Sequence, residues 1–177
     1  MVSIALLDDD LALAERATPA SAAPAETSAT LVAKDELTRY VRSHITTHLV
    51  DDSAVVTPEG TAIYALSDPR DIRQIRYVGQ TSSPRRRFLQ HLNTARLWLP
   101  DEIPWWVASP KLRPLYQWLR ELYRDERRLP MMIVSAWAET TQHARVLERS
   151  RIFECLGQQL PLLNFEAELN ARQMTLL

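Results

Sequence analysis

Six polar side chains between positions 64 and 164 have the types that phosphodiester hydrolysis uses. They are Tyr64, Tyr77, Arg87, His91, Glu148 and Asn164. Such hydrolysis needs a positioned water, a base for its proton, positive charge on the phosphate and help for the leaving oxygen. The six side chains include a candidate for each task.

Glu148 is the candidate metal anchor. A hard cation such as Mg²⁺ is often held by only one or two carboxylates and keeps several of its waters. The alternative for Glu148 is a surface ion pair with a neighbouring arginine, Arg145 or Arg151.

Arg87 is the candidate phosphate ligand, because a planar guanidinium fits phosphate oxygens in a bidentate way. It also falls in the first turns of a predicted helix, whose N-terminus favours anions. Arg85 and Arg86 precede it directly. The alternative is therefore a solvated basic face on which any of the three could act.

The two tyrosines and His91 are candidates for the base. Tyr64 and Tyr77 fall on two strands of a predicted hairpin, where their side chains can share a face. An unperturbed tyrosine has a pKa near 10, which a nearby cation could lower, whereas a histidine has a pKa of about 6.5. His91 lies four residues after Arg87, on the same helix face. As isolated residues, the tyrosines would instead be core side chains.

The elements that position these residues follow from periodicity and capping signals. Ala62–Leu66 and Ile75–Gly79 predict two strands around a turn at Ser67–Arg73. Ser83 followed by Pro84 predicts a helix to Arg96, with Phe88, Leu92 and Ala95 buried.

A second helix start falls at Ser109–Pro114 and predicts a helix to about Arg128. Its apolar face would carry Leu115, Leu119, Leu122 and Tyr123. Met131–Ala138 predicts a third strand, and Thr140 or Thr141 caps a third helix that ends near Gly157. The order β-β-α-α-β-α predicts an α+β fold, a small three-stranded antiparallel sheet flanked by helices.

These residues together resemble the GIY-YIG nuclease superfamily. Ala62-Ile63-Tyr64 and Tyr77-Val78-Gly79 resemble its two tripeptides, with Ala62 in place of the first glycine. Arg87-Phe88, His91, Glu148 with Ile152, and Leu163-Asn164 then follow in the family's order. The resemblance covers residues 61–165. It implies an endonuclease that uses Mg²⁺ or Mn²⁺ held by Glu148.

The resemblance also bears on two roles. It favours Tyr77 as the base, although His91 stays a rival. Asn164 would hold the site together through hydrogen bonds from its amide, and its alternative is a turn residue.

The charge distribution favours DNA as the partner, although the net charge of the chain is only -1. Residues 1–69 carry 4 basic and 11 acidic side chains, a net charge of -7, whereas residues 70–128 carry 13 basic and 6 acidic ones, a net charge of +7. A concentrated basic segment attracts phosphates, and its alternative is a set of solvated helix faces. The candidate DNA contacts are Arg85, Arg86, Lys111 and Arg113.

Three parts of the chain are expected. Residues 1–31 form an acidic head and an Ala/Pro/Ser/Thr-rich linker, residues 32–60 a helix (32–50) and a polar loop (51–61), and residues 61–177 the nuclease-like domain. His44 and His48 have metal-ligand spacing but lack a third ligand. With one cysteine and no membrane-spanning stretch, we expect a cytoplasmic protein that does not enter membranes.

Three functions are open on sequence grounds. The first is a metal-dependent DNA endonuclease, and the second is an inactive nucleic-acid-binding module of the same fold. The third is a protein-interaction domain that uses exposed Trp105 and Trp106. A protein partner, a homo-oligomer and the role of residues 1–60 stay open as well.

Overall fold

The computed structural model describes residues 60–99 and 101–164, the backbone of residues 49–51, and the helical residues 35, 36 and 39. The predicted acidic head and linker, the histidine pair at positions 44 and 48, and the tail after residue 164 lie outside the described residues.

The described part of the chain forms one sheet with helices on both faces. Its strands are β1 (Leu49–Asp51), β2 (Thr61–Asp68), β3 (Asp71–Thr81) and β4 (Met131–Ala138), and its helices are α1 (Pro84–Ala95), a 3₁₀ helix (Trp105–Ala108), α2 (Arg113–Glu126) and α3 (Thr141–Gly157). The strand order is β1-β4-β2-β3, with β2 antiparallel to both β3 and β4. The predicted α+β fold and its three antiparallel strands are confirmed.

The predicted turn at Ser67–Arg73 is too long. The strands continue to Asp68 and resume at Asp71, so only Pro69 and Arg70 connect them. The Asp68 carboxylate accepts hydrogen bonds from the backbone N–H and the guanidinium of Arg70, at 2.9 and 2.7 Å. This side-chain turn closes the hairpin tightly.

The sequence predicts a helix over 32–50 and a loop over 51–61. The predicted end of the helix and the predicted end of the loop are both wrong. Leu49–Asp51 is a strand, β1, which pairs in parallel with Met132–Val134 of β4. Thr61 already belongs to β2. Without β1, this side of β4 would be a sheet edge with unpaired backbone groups. The strand at Leu49–Asp51 therefore depends on pairing with a partner distant in sequence.

Two apolar clusters cover the two faces of the sheet. Ala62, Tyr64 and Leu66 of β2 face α1 and α2, whereas Ile63 and Ala65 face α3. This alternation follows from the two-residue period of a strand. Both faces are covered, so β2 is buried from Ala62 to Asp68.

The predicted helix faces agree with the structure. Phe88, Leu92 and Ala95 are buried in α1, and Leu115, Leu119 and Leu122 are buried in α2, with Tyr123 partly buried. Over the described ranges, no helix is long and apolar enough to cross a membrane.

Candidate active site between the hairpin and the first helix

A buried hydrogen bond joins β2 to α1 at the centre of the candidate site. The hydroxyl of Tyr64 and Nε2 of His91 are 2.7 Å apart, and both side chains are about 1% exposed. Tyr64 faces α1 because it lies on the same side of β2 as Ala62 and Leu66. His91 is on the buried face of α1, one turn after Phe88.

Tyr77 shares this face of the sheet, as the hairpin predicts. Tyr64 pairs with Gly79 and Tyr77 pairs with Leu66, so the two tyrosines are diagonal neighbours. Their ring centroids are 6.2 Å apart, and Tyr77 meets His91 edge-on at 5.6 Å. Unlike Tyr64, Tyr77 is only partly buried. The two phenols also share a side-chain hydrogen bond.

Gly79 is the position that makes this arrangement of rings fit. A Cβ at residue 79 would lie 2.7 Å from Oη and 2.8 Å from Cζ of Tyr64, and 2.9 Å from Cε1 of Tyr77. These separations are far below van der Waals contact. The glycine that ends β3's Tyr77-Val78-Gly79 sequence is required by the two rings, a reason that the sequence alone does not reveal.

Arg87 of α1 and Glu148 of α3 are electrostatically coupled. Burial lowers the pKa of Arg87, and the negative charge of Glu148 partly offsets that effect. Burial is the main cause of the raised pKa of Tyr64, and the charge of Glu148 adds a smaller contribution. The carboxylate of α3 therefore acts electrostatically on both α1 and β2, although α3 packs on the opposite face of the sheet.

The structure distinguishes the three consecutive arginines of α1. Arg85 and Arg86 are exposed, whereas Arg87 is partly buried. The charge of Glu148 acts on the pKa of Arg87. Arg87 therefore lies in a different environment from its two neighbours. Of the other candidate DNA contacts, Arg113 is exposed and Lys111 is partly exposed.

Tyr116 belongs to the site and was missed by sequence reasoning. Its ring is buried, 6.1 Å from His91, and burial is the main cause that raises its pKa to about 12. The signal was present, because Tyr116 is four residues after Leu112 and three before Leu119 on the apolar face of α2.

Asn164 closes the open edge of β3. Its Oδ1 accepts from the backbone N–H of Val78 at 2.9 Å and its Nδ2 donates to the carbonyl of Val78 at 2.8 Å. The amide thus pairs with both backbone groups of Val78, as a neighbouring strand would. The Asn164 side chain is 2% exposed. Next to it, the backbone N–H of Leu163 donates to the carbonyl oxygen of Arg76 at 2.6 Å.

The chain matches no family model, no curated protein and no solved structure.

Within the described ranges, no group of three or more His, Cys, Asp or Glu side chains could hold a metal ion. A cation bound near Glu148 would therefore have at most two such ligands from these residues and take its other ligands from water and phosphate. Mg²⁺ tolerates such a site. The donor set fits this hard cation and does not fit a tightly caged metal.

One expectation about the insert between α1 and α2 is wrong. Trp105 is 50% exposed, but Trp106 is only 2% exposed, because its ring packs 5.7 Å from Tyr116 and its Nε1 donates to the carbonyl of Thr94. A surface made of both tryptophans is thus excluded.

His91 should make folding stability depend on pH. Burial, and secondarily the charge of Arg87, lowers the pKa of His91 from 6.5 to about 3. Between these values the unfolded chain binds the proton and the folded chain does not. The free energy of unfolding should therefore fall as the pH drops below about 6.5, by up to ~1.4 kcal/mol per pH unit.

Urea unfolding at pH 7.0 and pH 5.5 measures this dependence. Most carboxylates stay ionised in that interval, and a His91→Gln variant serves as the control. The wild type should lose clearly more stability than the variant. Equal losses in the two proteins would contradict a neutral, buried His91.

Proposed function

We propose that this protein is a metal-dependent endonuclease that hydrolyses phosphodiester bonds in DNA, of the GIY-YIG type. The observation that carries the proposal is the convergence of Tyr64, Tyr77, Arg87 and His91, with the carboxylate of Glu148 acting on two of them. These five residues come from four separate elements. The same five residues carry the sequence resemblance, so pattern and geometry support the same reading.

Glu148 is assigned as the ligand of the metal ion that acts on the phosphate, and Arg87 is assigned as the ligand of the phosphate oxygens. A divalent ion at Glu148 would supply a Lewis acid and a water of lowered pKa. Arg87 would bind the phosphate oxygens and offset the charge that develops on them. Its partial burial strengthens such an interaction, because fewer waters compete for the guanidinium.

Tyr77 is assigned as the proton acceptor in preference to His91. Nε2 of His91 is engaged by Tyr64, and its pKa of about 3 makes it a weak base. Tyr77 is partly exposed and also shares a side-chain hydrogen bond with Tyr64, and a nearby cation would lower its pKa. His91 then holds the Tyr64 phenol in place.

The arginines of α1 offer a matched test of these roles. Arg87→Gln should lower kcat/KM for DNA cleavage by about 100-fold, equivalent to ~2.7 kcal/mol of transition-state stabilisation. Arg86→Gln removes the same charge from an exposed neighbour. It should lower the rate less than about fivefold, through weaker attraction of DNA alone.

Rates are measured on one labelled oligonucleotide at fixed salt. Equal losses in the two variants would overturn the role of Arg87 and favour a solvated basic face. DNA binding without cleavage in any divalent metal would favour the inactive binding module.

A further inference from the structure

We propose that Trp105 is a stacking platform for an unpaired nucleobase, so that the preferred substrate is single-stranded or locally unpaired DNA. This inference rests on the proposed nuclease function and names its substrate class. It is carried by the insert between α1 and α2, whose tip combines a rigid backbone with exposed apolar side chains.

The tip of the insert is held in place from both ends. Arg120 of α2 donates to the carbonyl oxygens of Leu99 and Glu102, at 2.8 and 2.9 Å. Trp106 is anchored through Nε1 to the carbonyl of Thr94 at 2.7 Å. The exposed ring of Trp105 therefore sits on a fixed base, which reduces the conformational entropy lost when a base stacks on it.

Exposure at the tip is selective. Pro104 and Trp106, on either side of Trp105, are buried, whereas Trp105 is 50% and Ile103 is 84% exposed. Core packing explains why Pro104 and Trp106 are apolar, but it does not explain the exposed apolar side chains of Trp105 and Ile103. An exposed indole beside an exposed aliphatic side chain suits the flat apolar face of a nucleobase.

The charges around the tip favour a base over a phosphate at this point. Asp101 and Glu102 precede Ile103 and are exposed, so they repel a phosphate but not an uncharged base. Lys111 and Arg113 follow at the start of α2. Both side chains are basic and attract phosphates.

The tip is linked to the candidate site by a short chain of rings. Trp106, the neighbour of Trp105, lies 5.7 Å from Tyr116, and Tyr116 lies 6.1 Å from His91. The segment that carries Trp105 is therefore packed against the same helix that contributes Tyr116 to the candidate site. A fully paired duplex would lack a free base to stack on Trp105, because its bases stack on one another.

Equilibrium binding tests the inference without requiring cleavage. Fluorescein-labelled oligonucleotides are used as a single strand, as a duplex with an unpaired bulge, and as a fully paired duplex of the same length, in EDTA at fixed salt. Trp105→Ala should weaken binding of the first two by at least about tenfold, equivalent to ~1.4 kcal/mol. Binding of the paired duplex should change less than about twofold.

Three further variants control the experiment. Phe153→Ala removes an aromatic ring that is 53% exposed on α3, and it should leave all three affinities unchanged. Trp105→Leu keeps apolar bulk without an aromatic face and should also weaken the single strand. Trp105→Phe should restore most of the affinity, and thermal unfolding verifies that each variant is folded.

The outcomes separate this inference from the proposed function. Equal losses on all three oligonucleotides, or no loss with Trp105→Ala, would overturn the stacking platform even if the protein cleaves DNA. A selective loss would support it even if the wild type cuts nothing, in which case only the nuclease assignment fails. No binding of any DNA form by the wild type would overturn both.

Discussion

Replacement of Glu148 by glutamine should abolish DNA cleavage while DNA binding survives. The charge of this carboxylate acts on both Tyr64 and Arg87. Glutamine has nearly the same shape but lacks the charge that a divalent cation needs. We expect the single-turnover cleavage rate to fall at least ~1000-fold, equivalent to ~4 kcal/mol of activation free energy.

Glu154→Gln is the matched control on the same helix. Glu154 is exposed and forms an i,i+3 ion pair with Arg151, a type of contact worth about 0–1 kcal/mol. Its loss should leave the rate within about twofold of the wild type. Comparable rate losses in both variants would contradict a specific role for Glu148. Loss of DNA binding in Glu148→Gln would assign the carboxylate a structural role instead.

The second large effect is expected at Gly79, where one methyl group should damage both stability and activity. An alanine Cβ would lie 2.7–2.9 Å from atoms of Tyr64 and Tyr77. The Tyr64 ring has little room to retreat, because it is buried and its hydroxyl is hydrogen-bonded to His91. Overpacking of this kind costs about 1–3 kcal/mol. A shift of about 1 Å at reacting groups can cost about 100-fold in rate.

Gly157→Ala is the control for the glycine change itself. Nothing lies within 4 Å of the added Cβ, and Gly157 does not have a positive φ. Alanine at the end of α3 should therefore leave activity unchanged and shift the free energy of unfolding by less than ~1 kcal/mol, toward greater stability. Thermal unfolding and cleavage rates of both variants decide the matter. A fully active, fully stable Gly79→Ala protein would show that the rings are not tightly positioned.

The elements with strong local signals could be predicted from the sequence. Met131–Ala138 is a strand with the predicted bounds, and the helix after Ser83 starts at Pro84. Thr140 is the N-cap of α3, with its hydroxyl accepting from the backbone N–H of His143 at 3.1 Å. Such signals are contained in a few consecutive residues, so they need no tertiary information.

The rest depended on contacts between distant residues. β1 exists through its pairing with β4, some 80 residues later, and no local pattern marks it. Trp105 and Trp106 are neighbouring residues of the same type, yet only Trp106 is buried, where its ring packs against Tyr116. Spacing alone could not separate them.

The candidate site shows the same division. The residue types and the shared helix face of Arg87 and His91 follow from the sequence. The neutral state of His91 does not, because it comes from complete burial. The pair of hydrogen bonds between Asn164 and Val78 does not follow from the sequence either, because the two residues are 86 positions apart.

The most direct test of the central claim is a cleavage assay with the full-length protein. Supercoiled plasmid and labelled single-stranded DNA are incubated with Mg²⁺ or Mn²⁺, with EDTA as the metal-free control and Glu148→Gln in parallel. A nuclease with this site should nick or cut DNA with either metal, and cleavage should disappear both in EDTA and in the variant. Intact DNA under every metal condition, from wild-type protein that is folded and binds DNA, would contradict the account. Cleavage that persists undiminished in Glu148→Gln would equally contradict it.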